Sequence, residues 1–227
     1  MFNNQKAAAI IVAAGRGERM GGKNKMFAPL AGKPVLAWVV DTFQKCNLID
    51  RVVIVLAGDD LEKGKELAKK QGWSKVTDIC PGGEERQASV AAGLGKLEGC
   101  RWVVIHDGAR PLVTESLIKN GIEVARDCGA AVAAVPVTDT IKLVDHEGFV
   151  MGTPPRKSLW AVQTPQVFHF DIITEAHQKA EAMVTDDASL VEMLGYKVKL
   201  FMGSYDNIKI TTQSDLALAE ILVQRGG

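Results

Sequence analysis

The chain alternates between short apolar runs that stop at glycine or polar residues and stretches whose apolar positions recur at helical spacing. "AAAIIVAAG" near the start has no polar face, which predicts a strand buried on both sides. In "KPVLAWVVDTFQKC", Val35, Trp38, Val39, Thr42 and Phe43 share one face, and Pro34 suits a first helical turn. "RVVIVLAG" predicts a second buried strand, and "DLEKGKELAKKQG" a solvated helix closed by glycine. "KVTDIC" reads as a third strand, and "GGEERQASVAAGLGKL" as a glycine turn entering a helix. "RWVVIHDGARP" is a fourth strand that runs into charged residues at its carboxyl end. A helix capped by Thr114, "TESLIKNGIEVARDCG", and a strand, "AAVAAVPV", follow.

This order predicts an α/β fold: a doubly wound, mostly parallel sheet, Rossmann-like in its winding, with helices on both faces. Ligands of such sheets bind beyond the carboxyl ends of the strands, where the unusual residues of this chain gather. The alternation breaks near residue 138. "DTIKLVDHEGFVMGTPPRKSLW" holds two short extended runs around "DHEG" and then a proline-rich return. It predicts a protruding β-hairpin arm over residues 138–160 without a core of its own. "FDIITEAHQKAEAM" and "DDASLVEMLG" resume helix, "YKVKLFMG" is a strand, and "TTQSDLALAEILVQR" a final helix. In that helix Thr212 and Asp215 have capping-box spacing. With no internal repeat and no low-complexity linker, residues 1–227 read as one domain plus the arm.

Composition excludes some roles. The 227 residues carry zero formal net charge, so no global field recruits nucleic acid or membrane. The longest apolar runs are far too short to span a bilayer, and "MFNNQK" lacks the apolar core of a secretory leader. A cytoplasmic protein is expected. Cys46, Cys80, Cys100 and Cys128 contain no CxxC pair and read as reduced thiols, with no zinc site.

The loop "GRGERMGGKNK" after the first strand is the chemically loaded stretch. Gly15 and Gly17 begin a dinucleotide fingerprint, but Met20 occupies the third glycine position. "GERMGGKN" follows the Walker spacing, yet Asn24 stands where Ser or Thr would meet Mg²⁺. What remains is a glycine-rich loop carrying Arg16, Arg19, Lys23 and Lys25, and exposed N–H groups beside cations suit polyphosphate. A flexible basic surface loop has the same composition. Asp107, at the end of the fourth strand, has the placement of a metal ligand near phosphate, or it caps the turn and pairs with Arg110. His106 lies within an apolar strand and reads as a structural histidine, not a base. Lys209 lies in a strand-like stretch near the end, "DNIKITT", where a lone lysine is ordinarily solvated.

"AAGRGERM", "KMFAPLAGKPVLAW", "GGEERQASV", "VVIHDGARP", "PVTDTIK", "LWAVQTPQVF" and "DNIKIT" occur in this order over nearly the whole chain. In them the sequence resembles the 2-C-methyl-D-erythritol 4-phosphate cytidylyltransferase family of the non-mevalonate isoprenoid pathway. The resemblance implies a nucleotidyltransferase that joins CTP to a polyol phosphate with Mg²⁺ and releases pyrophosphate. Carried over by motif, Ala13, Ala14, Gly15, Gly17, Arg19 and Lys25 would line the triphosphate. Gly83, Glu84 and Ser89 would face cytosine and ribose, and Asp107 and Gly108 the ribose and the metal. Arg19 and Lys25 would stabilise the transition state. Arg156 and Lys209 would position the polyol phosphate, with Thr140 and Arg110 nearby. The arm would clasp a second subunit, so that Arg156 and Thr140 serve the partner's site in a homodimer. Asn24 and Met26 stand where the family often has proline and glutamine, and Arg16 has no family role. Three rivals remain at this point: a ribitol 5-phosphate cytidylyltransferase, a CTP-binding regulator without turnover, and, disfavoured by Met20, an NAD-dependent oxidoreductase.

Overall fold

A computed structural model describes residues 7–15 and 25–225. The first half runs β1 (Ala7–Ala13), the short pair β2 (Pro29–Leu30) and β3 (Lys33–Pro34), α1 (Val35–Lys45), β4 (Arg51–Leu56) and α2 (Leu61–Gln71). It continues with β5 (Val76–Pro81), α3 (Arg86–Leu94), β6 (Trp102–Asp107), α4 (Glu115–Cys128) and β7 (Ala130–Pro136). After these come the hairpin β8 (Leu143–Val144) and β9 (Val150–Gly152), then β10 (Trp160–His169) and α5 (Phe170–Gln178). The chain closes with α6 (Asp187–Met193), β11 (Lys199–Met202) and α7 (Gln213–Arg225).

Seven strands form one sheet in the order β11-β7-β10-β6-β1-β4-β5. All neighbours pair in parallel except β10, which is antiparallel to both β6 and β7. The doubly wound, mostly parallel sheet expected from the sequence is therefore present. Alternation along β1 divides the core. Ala7, Ala9, Ile11 and Ala13 pack with α1 and α4 on one face, whereas Ala8 and Ile10 pack with α3, α5 and α6 on the other. Register then aligns the strand ends: Ala13 pairs with Leu56 of β4, and Val12 with Asp107 of β6. The carboxyl ends of the three central strands thus open on one edge.

The caps follow the sequence. Gly72 closes α2 with φ 67°, and Thr114 accepts a hydrogen bond from the Leu117 N–H at the start of α4. At α7, Thr212 Oγ1 accepts from Asp215 N while an Asp215 oxygen accepts from Thr212 N, a reciprocal capping box. Pro34 stands one position earlier than expected, at the N-cap of α1.

Two expectations differ from the structure. The stretch after the proline-rich return, to which the sequence assigns no element, is β10, a ten-residue strand inside the sheet. Its ladder to β7 shifts between Val162 and Gln166, around Pro165, which has no N–H to give. Gln163, Thr164 and Gln166 are buried there, so the strand lacks the apolar signature of its neighbours. "DNIKITT" lies outside the sheet; its backbone is tied to the turn after β6 by Ile210 N–H to Ala109 O at 2.8 Å. The arm expected over 138–160 contains the β8–β9 hairpin, with Phe149 and Met151 exposed.

Candidate active site

At the carboxyl edge of the sheet a pocket is lined by Val12 to Gly15, Lys25 and Met26, the turn from Gly83 to Arg86, Ser89, Asp107, Ala109 and Lys209. Each element arrives there for a local reason. After β5, Gly82 hands its N–H to Leu56 O, and a Cβ on it would lie 2.4 Å from the Ala14 Cβ. Gly108 gives its N–H to Val12 O at 2.8 Å, and a Cβ there would lie 2.9 Å from the Ala13 Cβ. Only residues without side chains let these backbones close around the end of β1.

Asp107 is the electrostatic centre. Arg86 Nε lies 3.2 Å from its Oδ1, and Lys209 Nζ 2.8 Å from its Oδ2. Arg110 Nε is 3.7 Å from the same Oδ2. Burial by itself pushes the Asp107 carboxyl up, but Arg86, Lys209 and Arg110 outweigh it and hold the group well below the usual carboxylate range. Arg86 also reaches Asp187 Oδ2 at 2.7 Å, and Asp187 meets His177 Nε2 at 3.1 Å. Burial lowers the Arg86 guanidinium, yet Asp187 and Asp107 drive its net shift upward. Arg86 is therefore a permanent cation clamped between two buried carboxylates.

A buried layer braces this centre from β10. Thr164 Oγ1 accepts the Asp107 N–H at 3.0 Å and lies 3.0 Å from His106 Nδ1. His106 Nε2 faces the Arg110 carbonyl at 3.1 Å, so Nε2 carries the proton and Nδ1 accepts from Thr164. Burial lowers His106 to about 4 despite the Arg110 carbonyl, which makes it a neutral structural group.

A family model described as IspD, 2-C-methyl-D-erythritol 4-phosphate cytidylyltransferase, matches residues 7–225. The chain belongs to this family. A relative of that name from Dehalococcoides mccartyi is 53% identical over 226 residues, covering 100% of both chains. Among solved structures, the 4-diphosphocytidyl-2C-methyl-D-erythritol synthase of Anaerococcus prevotii superposes with a TM-score of 0.87. It is 32% identical, over 97% of this chain and 96% of that one. The 2-C-methyl-D-erythritol 4-phosphate cytidylyltransferase of Thermus thermophilus gives a TM-score of 0.78 at 34% identity, over 95% and 98%.

Against the residues carried over from the cytidylyltransferase family, the structure gathers nine into the pocket: Ala13, Ala14, Gly15, Lys25, Gly83, Glu84, Ser89, Asp107 and Lys209. Gly108 lies directly behind Ala13. Arg110 is turned toward Asp107 and donates from Nη1 to Asn207 O at 2.7 Å. Of the two readings of Asp107 made from the sequence, the turn and the pairing with Arg110 are the one visible, because Arg110 N–H also closes the turn onto Asp107 O. Arg156 and Thr140 do not join the pocket of their own chain: both are exposed on the arm, and Arg156 Nη1 donates to Thr138 O. Gly17 and Arg19 lie outside the described residues. Sequence reasoning passed over Arg86. The available signal was a cation in the first turn of a helix, against the helix dipole, which asks for a local anion. Asp187, far along the chain, carries no such signal.

No described helix is long and apolar enough to cross a membrane. Among the described residues, no group of three or more His, Cys, Asp or Glu side chains is gathered as a self-contained metal site.

Proposed function

We propose that this protein transfers CMP from CTP to the phosphate of 2-C-methyl-D-erythritol 4-phosphate, giving 4-diphosphocytidyl-2-C-methyl-D-erythritol and pyrophosphate, in non-mevalonate isoprenoid biosynthesis. The observation that carries the reading is the meeting of Lys25 and Lys209, from opposite ends of the chain, in one pocket with the backbone of Ala13 to Gly15. In this reading Ala13, Ala14, Gly15, Gly17, Arg19 and Lys25 hold the triphosphate. Gly83, Glu84 and Ser89 face cytosine and ribose, and Asp107 and Gly108 lie beside the ribose. Lys209 and Arg110 meet the polyol phosphate, with Arg156 and Thr140 supplied by the arm of a second copy. The chain then works as one nucleotidyltransferase domain, residues 1–227, in a cytoplasmic homodimer joined through the arm at 138–160.

The chemistry needs charge control more than proton transfer. A phosphate monoester has a second pKa of about 6, so the attacking oxygen is ionised at neutral pH and no general base is required. It must approach an anionic triphosphate, and two unit charges at about 4 Å repel by about 4 kcal/mol at an effective dielectric of 20. Arg19 and Lys25 offset that repulsion and then stabilise the charge on the five-coordinate α-phosphorus. Lys209 waits beside Asp107, its side chain 39% exposed, and orients the incoming phosphate.

Mg²⁺ belongs to the same reading. It commonly binds through one or two carboxylates plus substrate phosphates, and Asp107 with Glu84 and Glu85 supplies carboxylates at the pocket. Because Asp107 is already surrounded by Arg86, Lys209 and Arg110, phosphate oxygens would make most of the metal's ligand set. Bound there, the ion would neutralise phosphate charge.

The deciding measurement is pyrophosphate release from CTP and Mg²⁺ with methylerythritol phosphate, with ribitol 5-phosphate, and with no acceptor. Release with methylerythritol phosphate alone is expected. A preference for ribitol phosphate overturns the substrate, and silence with both despite CTP binding overturns catalysis.

A further inference from the structure

We propose that Asn207 is a positioning residue for this site, which sets Lys209 and Arg110 against Asp107; the inference rests on the transfer reading above. Lys209 belongs to a segment, between β11 and α7, that has no ladder to the sheet. Something else must fix where its ammonium stands.

Asn207 is fully buried. Its Nδ2 donates to Thr164 O at 2.8 Å and to Gln163 Oε1 at 3.3 Å, both on β10. Its own carbonyl accepts from Arg110 Nη1 at 2.7 Å, and its N–H closes a turn onto Ser204 O. Two residues later Lys209 Nζ meets Asp107. Thr164, whose carbonyl receives the amide, also holds the Asp107 N–H through its hydroxyl. The contacts therefore form a closed ring: Asp107, Thr164, Asn207, Arg110 and back to Asp107, with Lys209 hanging from it. Within the ring Asn207 is the one residue whose side chain fixes the segment between β11 and α7 to the sheet while its backbone fixes a cation.

The chemistry singles out an amide. Thr164 O is an acceptor only, so the nitrogen of residue 207 must face it. That orientation turns Oδ1 away, where it has no hydrogen-bond partner among the described residues. An orphaned buried carbonyl is unfavourable, and an apolar residue would avoid it. The amide is retained because it delivers two donors to β10. An Asp of the same size would instead press an anionic oxygen against two acceptors.

The test uses Asn207→Asp and, in case the charge prevents folding, Asn207→Ala, each beside the wild-type protein. Turnover and KM are measured for methylerythritol phosphate and for CTP, with thermal unfolding as a control. Separately, the native proteins are treated with acetic anhydride and labelling at Lys209 is followed by mass spectrometry. We expect KM for the polyol phosphate to rise and kcat to fall by roughly 10-fold or more, the size of a lost buried hydrogen bond. KM for CTP should hold within about 2-fold, because its proposed contacts lie on β1 and the α3 turn, and Lys209 should label faster. If KM for CTP rises as much as KM for the polyol phosphate, and both only in proportion to lost stability, Asn207 is merely structural and the inference falls. Wild-type KM and Lys209 labelling in both variants would overturn it too. If the wild-type protein itself releases no pyrophosphate, the transfer reading fails, while Lys209 labelling still decides the positioning: faster supports it, unchanged overturns it.

Discussion

The pocket and the arm handle charge in opposite ways. At the pocket, Arg86, Asp107, Arg110 and Asp187 are largely buried, and each is held by at least one partner from a distant part of the chain. On the arm, Arg156 is exposed and donates to the nearby Thr138 carbonyl, while Phe149 and Met151 are 67% and 69% exposed. These ion pairs of the first region are made within one chain. The second leaves apolar surface and a cation exposed. A pocket that must bind two anions needs its cations fixed before they arrive, which is the logic of preorganisation. In the homodimer proposed above, the arm would leave its own unfixed until assembly.

The sharpest way to break this contrast is complementation. Lys25→Ala removes a cation from the pocket, and Arg156→Ala one from the arm; loss of one such donor commonly costs about 10²–10³ in rate. Each variant alone should therefore show that loss in kcat with an unchanged fold by circular dichroism. If Arg156 serves the partner's site, a mixed dimer holds one site with both residues intact. Unfolding the two variants together at equal amounts and refolding them should then restore about a quarter of wild-type turnover, the statistical yield for a two-fold dimer. No restoration, with mixed dimers shown to form by mass spectrometry, would place Arg156 in its own subunit's site.

How much of this contrast the sequence reveals depends on what each part is made of. The apolar strands β1, β4, β6 and β7 and the capped helices α2, α4 and α7 were readable because burial on both faces and cap chemistry are local signals. The arm was readable for the opposite reason, since its short runs around "DHEG" have no apolar depth. β10 was not readable: Gln163, Thr164 and Gln166 interrupt the pattern, and their burial is made tolerable by partners elsewhere, Ser204, His106 and Asp186. The same distance hides the Arg86–Asp187 pair, 101 residues apart. Local residues at the site, such as Lys25 and Asp107, were legible through motif alone, whereas the groups that brace them were not.

A second prediction sharpens the comparison through stability. Arg86→Met removes the guanidinium from between Asp107 and Asp187 and leaves Asp187 buried beside His177. Breaking a buried pair from one side typically costs about 3 kcal/mol. Arg156→Met, an identical change on the arm, should cost under about 0.5 kcal/mol because the side chain is exposed. Urea unfolding monitored at constant slope reads both. Equal losses would mean that the pocket cations are no better fixed than those of the arm.

The smallest effect concerns acid. His106 has its folded pKa depressed to about 4, chiefly by burial, from an ordinary value near 6.5. The unfolded chain therefore binds the proton more readily between those values. Its contribution is fully present above about pH 6.5 and is lost as pH falls through about 4, so unfolding free energy should decline over that window. The physical event is specific: a protonated ring would turn Nδ1 into a second donor, facing the Thr164 hydroxyl that already serves the Asp107 N–H. Neutral His106→Gln, if it folds, should flatten the decline by roughly 1–2 kcal/mol relative to wild type. Self-association of the proposed homodimer through the arm should change far less over the same range. Sedimentation run alongside urea unfolding at pH 7 and pH 5 separates the two. If the dimer dissociates while subunit stability holds, acid acts on the arm and the pocket's buried bracing is not what the histidine reports.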